Sequence, residues 1–195
     1  VDHQVVNVTD METRLKKRFR LTGTYKMDPV TGVVDVTGDV NLIRQVKQLG
    51  VTFGHVTGDF MCSQKMLETL AGAPKHVGQE FDCAYNQLTS LTYGPQYVGK
   101  EYHCDGNNQL TSLEGLPETL KGVFFVSWNP KLPLLRSLVA KMIDLRGDLS
   151  FTNAKYGEMF QVRGILNKYA DEGKVGAIKA EAELIKAGYK ENARW

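Results

Sequence analysis

A recurrence of about 21 residues constrains this chain more than any other feature. The stretch Val77 to Pro95, VGQEFDCAYNQLTSLTYGP, places apolar side chains at Val77, Phe81, Cys83, Leu88 and Leu91. One period later the same slots hold Val98, Tyr102 and Cys104, then Leu110 and Leu113 after a one-residue insertion. One period earlier they hold Val56, Phe60, Cys62, Leu67 and Leu70. A fixed period of this length marks a solenoid, whose coils bury their apolar faces only against one another. Each of those side chains is worth roughly 1.5–3 kcal/mol on burial. Ordering the backbone costs about 1–2 kcal/mol for every residue of the coil. A lone coil therefore cannot fold, and stacking is obligatory.

The same spacing extends the stack in both directions. Val36, Val40, Leu42, Val46 and Leu49 fit an earlier coil; Leu120, Phe124, Val126, Leu132 and Leu135 fit a later one. Leu145, Leu149 and Phe151 suggest a last rung, after a helix-compatible segment from Pro133 to Met142. The expected fold is a β-rich α/β solenoid of about six parallel strands, including runs near 56–62, 77–83, 98–104 and 120–126. Asn86, Asn108 and Asn129 stand past the cysteine slot, where a carboxamide can satisfy turn backbone.

Both ends need covers. Residues 1–13 read as a flexible lead-in, and 14–42 as a capping hairpin around DPVTG at 28–32 together with the first turn. The solenoid proper is 43–153. Beyond 154 the period becomes helical: Met159, Val162, Leu166 and Tyr169 share one face, and Val175, Ile178, Ala182 and Ile185 another. Residues 154–195 are expected to be a two-helix cap on the last coil, or else a small tail domain hung from it.

The quoted segments DVTGDVNL and HVTGDFMCSQKMLETLAGAPKHVGQEFDCAYNQLTSL, with the closing GAIKAEAELIKAGYKENARW, resemble a family of mostly uncharacterised tailed-bacteriophage proteins. That family carries leucine-rich-repeat-like turns of the form VGGDFxCxxNxLTSLxGAP, and the likeness covers residues 33 to 195. It implies a phage origin and a leucine-rich-repeat-like solenoid, and it brings no catalytic residues with it. The chain departs from the pattern at Gln79-Glu80, Lys100-Glu101 and Gln64-Lys65, which makes its exposed strand surface its own.

Composition narrows the function classes. A net charge of +2 argues neither for wholesale nucleic-acid wrapping nor for a strongly anionic partner. Three cysteines in one repeat slot argue for a reducing compartment rather than a disulfide framework. The N-terminal residues have no signal-peptide core, so a soluble protein of the host cytoplasm is expected, with the virion as the alternative location. No phosphate loop, dinucleotide fingerprint or zinc-protease motif appears, and no enzyme activity and no cofactor are expected.

Strand alternation turns the repeat into a surface map. One outward file reads Asp39, Asp59, Glu80, Glu101, Val123, Asp148, and the next Asn41, Met61, Asp82, His103, Phe125, Ser150. Four acidic residues on consecutive rungs repel and need an offset. The readings are a solvated face, a docking stripe for a basic protein segment, or, weakly, a divalent-cation site. Asp59, Met61, Glu80, Asp82, Glu101, His103 and Phe125 are the candidate partner contacts. Cys62, Cys83 and Cys104 form a line that cannot close a zinc tetrahedron and are expected to be core. His103 beside Glu101 and Asp105 has the residue types of an acid–base cluster but no matching nucleophile, and it is expected to be a surface histidine. On a strand, Arg14, Lys16, Arg18 and Arg20 would form a one-sided basic row, either a solvated cap or a weak nucleic-acid contact.

The favoured reading is a non-enzymatic protein-binding solenoid acting on a host or phage protein through its exposed strand face. The alternatives are a structural or assembly component of the virion and nucleic-acid binding through the basic row.

Overall fold

In the computed structural model, which describes residues 6–195, the chain enters through helix α1 (Val8–Arg18) and strand β1 (Phe19–Leu21). The hairpin β2 (Thr24–Met27) and β3 (Val34–Thr37) and the short β4 (Val40–Leu42) follow. The expected turn is there: the Asp28 carboxylate accepts the N–H groups of Val30 and Thr31 at 2.8 and 2.7 Å. Residues 8–13 of the expected lead-in are helix instead of loose chain, with the Asn7 side chain accepting the Asp10 N–H at 3.2 Å as its N-cap. Residues 1–5 of that lead-in lie outside the described residues.

The coils that follow are each split in two: β5 (Phe53–Val56) and β6 (Phe60–Met61), β7 (His76–Val77) and β8 (Phe81–Asp82), β9 (Tyr97–Val98) and β10 (Tyr102–His103), β11 (Thr119–Leu120) and β12 (Val123–Ser127). The expected unbroken strands turn a corner, and glycine makes the corner. A Cβ on Gly78 would fall on the Thr57 carbonyl and one on Gly99 on the Gly78 carbonyl, so consecutive rungs touch backbone to backbone there. The result is a β-solenoid of about five turns with two parallel sheets. One sheet runs β1-β4-β6-β8-β10-β12-β13, where β13 is Met142–Arg146; β1 pairs antiparallel, and the six remaining strands are parallel, the number expected. Across the corner the second sheet runs β11-β9-β7-β5-β3-β2, with β2 antiparallel at its edge.

The repeat slots fill the interior as the period requires. Phe60, Phe81, Tyr102 and Phe124 stack in register with centroids 5.7, 5.0 and 5.7 Å apart. Cys62, Cys83 and Cys104 form the neighbouring buried column as free thiols. Strict alternation from Phe81 would turn Gln79 and Cys83 inward and Ala84 outward; Cys83 obeys, but Ala84, just past the strand, is buried, and Gln79, at the corner, is half-exposed.

The asparagine ladder is shifted by one residue from expectation. Asn107, not the exposed Asn108, repeats Asn86. The Asn129 side chain makes only a local bond among the described residues, accepting the Lys131 N–H at 2.9 Å.

The last rung also differs. It is Met142–Arg146, preceded by a 3-10 turn at Leu135–Val139 instead of a longer helix, and Leu149 is fully exposed. Helix α2 (Asn153–Lys168) then covers the open edge of β13. Its Asn167 side chain accepts the Ile143 N–H at 2.7 Å and donates to the Ile143 carbonyl at 2.8 Å, which blunts an edge that would otherwise invite pairing. Met159, Val162 and Leu166 are buried as expected, in a core continuous with that of the coils.

Helix α3 (Gly173–Lys186) is rotated from expectation. It buries the small residues Gly176, Ala177 and Ala180 with Leu184, and turns Val175, Ile178 and Ile185 outward, each at least half exposed. Small side chains let α3 sit close to the 3-10 turn and α2, which the larger face would not allow. No helix among the described residues is long and apolar enough to cross a membrane.

Candidate functional site

The outward file of the seven-stranded sheet is read directly from register: Arg20, Asn41, Met61, Asp82, His103, Phe125 and Asp144 are consecutive partners. It matches the expected file up to Phe125. Asp144 then stands where Ser150 was expected. In the neighbouring file Val123 is followed by Met142 and not by Asp148. Met61, Asp82, His103 and Phe125 are all half-buried, as are Asp59, Glu80 and Glu101 beside them.

Like charges on successive rungs are offset in two ways. In the lower rungs the carboxylates serve the backbone of the rung above. Asp39 accepts the Asp59 N–H at 2.8 Å, and Asp59 accepts the Glu80 N–H at 2.9 Å. In the upper rungs the offset is an imidazole. His103 Nε2 lies 3.0 Å from Glu101 Oε2 and 3.4 Å from Glu80 Oε1.

His103 is held on every side. Its ring stacks on Phe125 at 4.2 Å with an 11° interplanar angle, and the Arg146 guanidinium covers Phe125 at 4.4 Å. Nδ1 faces Asp105 Oδ1 at 3.8 Å, and Arg146 Nη1 lies 3.5 Å from the other Asp105 oxygen. The Asp105 side chain is only 4% exposed, and its Oδ1 has no hydrogen-bond partner among the described residues. The expected surface histidine is thus the centre of a half-buried cluster.

Electrostatics follow from this packing. Burial works against a charged His103, but the nearby Asp105 carboxylate, the hydrogen bond to Glu101 and the charges of Asp82 and Glu80 outweigh it and raise its pKa. Burial raises Glu80, as do Asp82, Asp59 and Glu101, against the opposing pull of His103. Burial also resists ionisation of Asp105; the neighbouring His103 imidazole and the Arg146 charge prevail and hold its pKa low. The cysteine column shares none of this chemistry, since burial pushes all three thiols up.

The basic row is not a strand. Arg14, Lys16 and Arg18 lie on α1 and only Arg20 on β1, so the one-sided row dissolves. Arg14 donates to the Gly50 carbonyl at 3.0 Å, while Arg18 donates to Gln48 and Leu49 at 3.2 and 3.0 Å. Lys16 pairs with Glu12 at 3.6 Å. Two of these four cations thus cap carbonyls of the first return segment.

On the other sheet, sequence reasoning missed a second column. His55, His76 and Tyr97 are register partners and stack flat, 4.1 Å and 17°, then 4.3 Å and 3°. The signal was present: an aromatic ring precedes Val56, Val77 and Val98 in turn.

The arrangement can therefore offer a partner a graded surface, acidic on one file and mixed apolar and aromatic on the next, with one imidazole–carboxylate cluster where the two meet. Comparison of the chain with family models, with curated proteins and with solved structures gave no match.

Proposed function

We propose that this chain is a non-enzymatic protein-binding solenoid of phage origin, which docks a basic segment of a host or phage protein on the outward face of its seven-stranded sheet in the host cytoplasm. The observation that carries this reading is the register: Asp59, Glu80 and Glu101 fall on consecutive rungs beside Met61, Asp82, His103 and Phe125. A continuous acidic file steers and registers a cationic partner. The adjacent Met61 and Phe125 supply the apolar contact that charge alone lacks.

Charge reversal tests it. Glu80 and Glu101 are the residues to change, because Asp59 and Asp82 accept backbone N–H groups and their loss would disturb the fold. The partner is first captured from infected cells in the presence of EDTA, identified, purified, and titrated against wild type and Glu80→Lys/Glu101→Lys. At least ten-fold weaker binding is expected, together with steep salt dependence in the wild type. Equal affinity of the two proteins would sink the reading.

A further inference from the structure

We infer that Glu80, Glu101 and the Nε2 of His103 bind one divalent transition-metal cation, with zinc the best match to the donor set. The inference does not depend on docking, since it concerns the isolated chain.

The three donors converge because of the solenoid. Glu101 and His103 flank Tyr102 on one rung and so leave the sheet on the same face. Glu80 occupies the slot of Glu101 one rung below, about 4.8 Å away in the hydrogen-bonding direction. Their donor atoms all lie within 4.8 Å of one another, with Nε2 at 3.0 and 3.4 Å from the two carboxylates. Donors on a tetrahedral zinc with bonds of roughly 2.0–2.1 Å stand about 3.3 Å apart, so small side-chain rotations close the shell.

A second observation points to a ligand. Asp105 is almost completely buried, has an oxygen with no hydrogen-bond partner among the described residues, and holds that oxygen 3.8 Å from Nδ1 of the same imidazole. A carboxylate behind the far nitrogen is how metal-bound histidines are held in one tautomer and orientation. Arg146 fixes the other Asp105 oxygen, and Phe125 fixes the plane of the ring. The imidazole is thus locked before any ion arrives, with Nε2 directed at the two glutamates. With Asp105 paired to Arg146, Glu80 and Glu101 remain as two carboxylates against one imidazole, negative charge that a single proton cannot cancel and a dication can.

The donor set decides the class of ion. Imidazole nitrogen suits zinc and its neighbours, whereas calcium and magnesium take oxygen shells of six or more ligands. The fourth position faces solvent, because the Glu101 side chain is 46% exposed.

The test is calorimetric titration of the EDTA-stripped, dialysed full chain with zinc chloride, with the absorption of the cobalt-substituted protein as a geometric readout. One zinc per chain and a tetrahedral cobalt spectrum are expected. Glu101→Gln, a half-exposed position that bonds no backbone, should weaken binding at least ten-fold, as should His103→Gln. Asp105→Asn should weaken it about 10- to 100-fold. His55→Gln/His76→Gln should bind as wild type does. The inference is overturned if Glu101→Gln binds zinc as tightly as wild type, if the His55/His76 variant is the one that loses it, or if calcium competes equally.

Discussion

Asn107 lies one coil above Asn86 and repeats its bonds. Asn86 Nδ2 donates to the Cys62 and Cys83 carbonyls at 2.9 and 3.0 Å, and Asn107 Nδ2 to the Cys83 and Cys104 carbonyls at 3.1 and 2.9 Å. Their oxygens accept the Leu67 and Leu88 N–H groups, each at 3.0 Å. Every carboxamide therefore ties its own coil to the one below. Asn107→Ala would strand two buried backbone groups, the Cys104 carbonyl and the Leu88 N–H, while the Cys83 carbonyl keeps its bond from Asn86, and a loss of the order of 3 kcal/mol in urea unfolding is expected. Asn108→Ala, at the exposed neighbour, should stay within about 0.5 kcal/mol of wild type.

Arg18 behaves as a structural cap. Its two bonds to carbonyls of the first return are made by a charged donor, so Arg18→Ala should cost about 1.5–3 kcal/mol. Lys16→Ala, which removes one exposed pair with Glu12, should cost less than about 0.5 kcal/mol. Equal effects in chemical denaturation would contradict the assignment of α1 as the cover of the first coil.

The orientation of α3 can be checked by stability alone. Leu184→Ala opens a cavity beneath the helix and should cost about 2–5 kcal/mol. Ile178→Glu, on a residue 67% exposed, should leave the melting temperature within a few degrees of wild type. The reverse ranking would mean that the larger apolar face is the buried one.

Acid should weaken the second sheet. Burial, then the neighbouring His55, lowers the pKa of His76, whose ring is sandwiched between those of His55 and Tyr97. A histidine depressed in the folded state stabilises the protein above its unfolded pKa of about 6.5, and that contribution is lost as pH falls through the lower, folded value. His76→Gln, which lowers the whole melting temperature profile by the loss of two ring stacks, should accordingly make it flatter below pH 6.5 than that of wild type. A profile as steep as that of wild type would rule out this source.

The thiols should be silent until the coils open. Cys62, Cys83 and Cys104 are buried, and burial disfavours the reactive thiolate. No labelling of the native protein by a thiol reagent is expected over hours, and full labelling is expected past the urea midpoint. Rapid modification of any one of them without denaturant would refute the packed column.

The interior was legible because each buried slot is stated several times: Phe60, Phe81 and Tyr102 vouch for one another. From the interior came the outward files, and so the candidate surface from Met61 to Phe125. What stayed hidden depends on where regularity stops. Period-two parity survives the corners, with Val77 and Phe81 both buried, but the corner residue between them, Gln79, does not face in, and Ala84 is buried at the turn where alternation would turn it out. The extra residue of the 98–113 coil comes after Asn107 and not before it, which moved the ladder by one position. Helix α1 was obscured because only Leu15 and Phe19, four residues apart, look inward from a run of cations. In α3 hydrophobicity pointed one way and close approach the other; shape decided, which no apolar pattern reports.

Asn192 is buried where the stack ends, donating to the Asn129 and Leu132 carbonyls at 3.1 and 2.9 Å while its own carbonyl accepts the Leu134 N–H at 3.1 Å. A ribosome delivers that residue some sixty positions after the coil it completes. During translation the upper rung must therefore wait with unmet carbonyls, and the native fold is sealed only when the tail swings back over it.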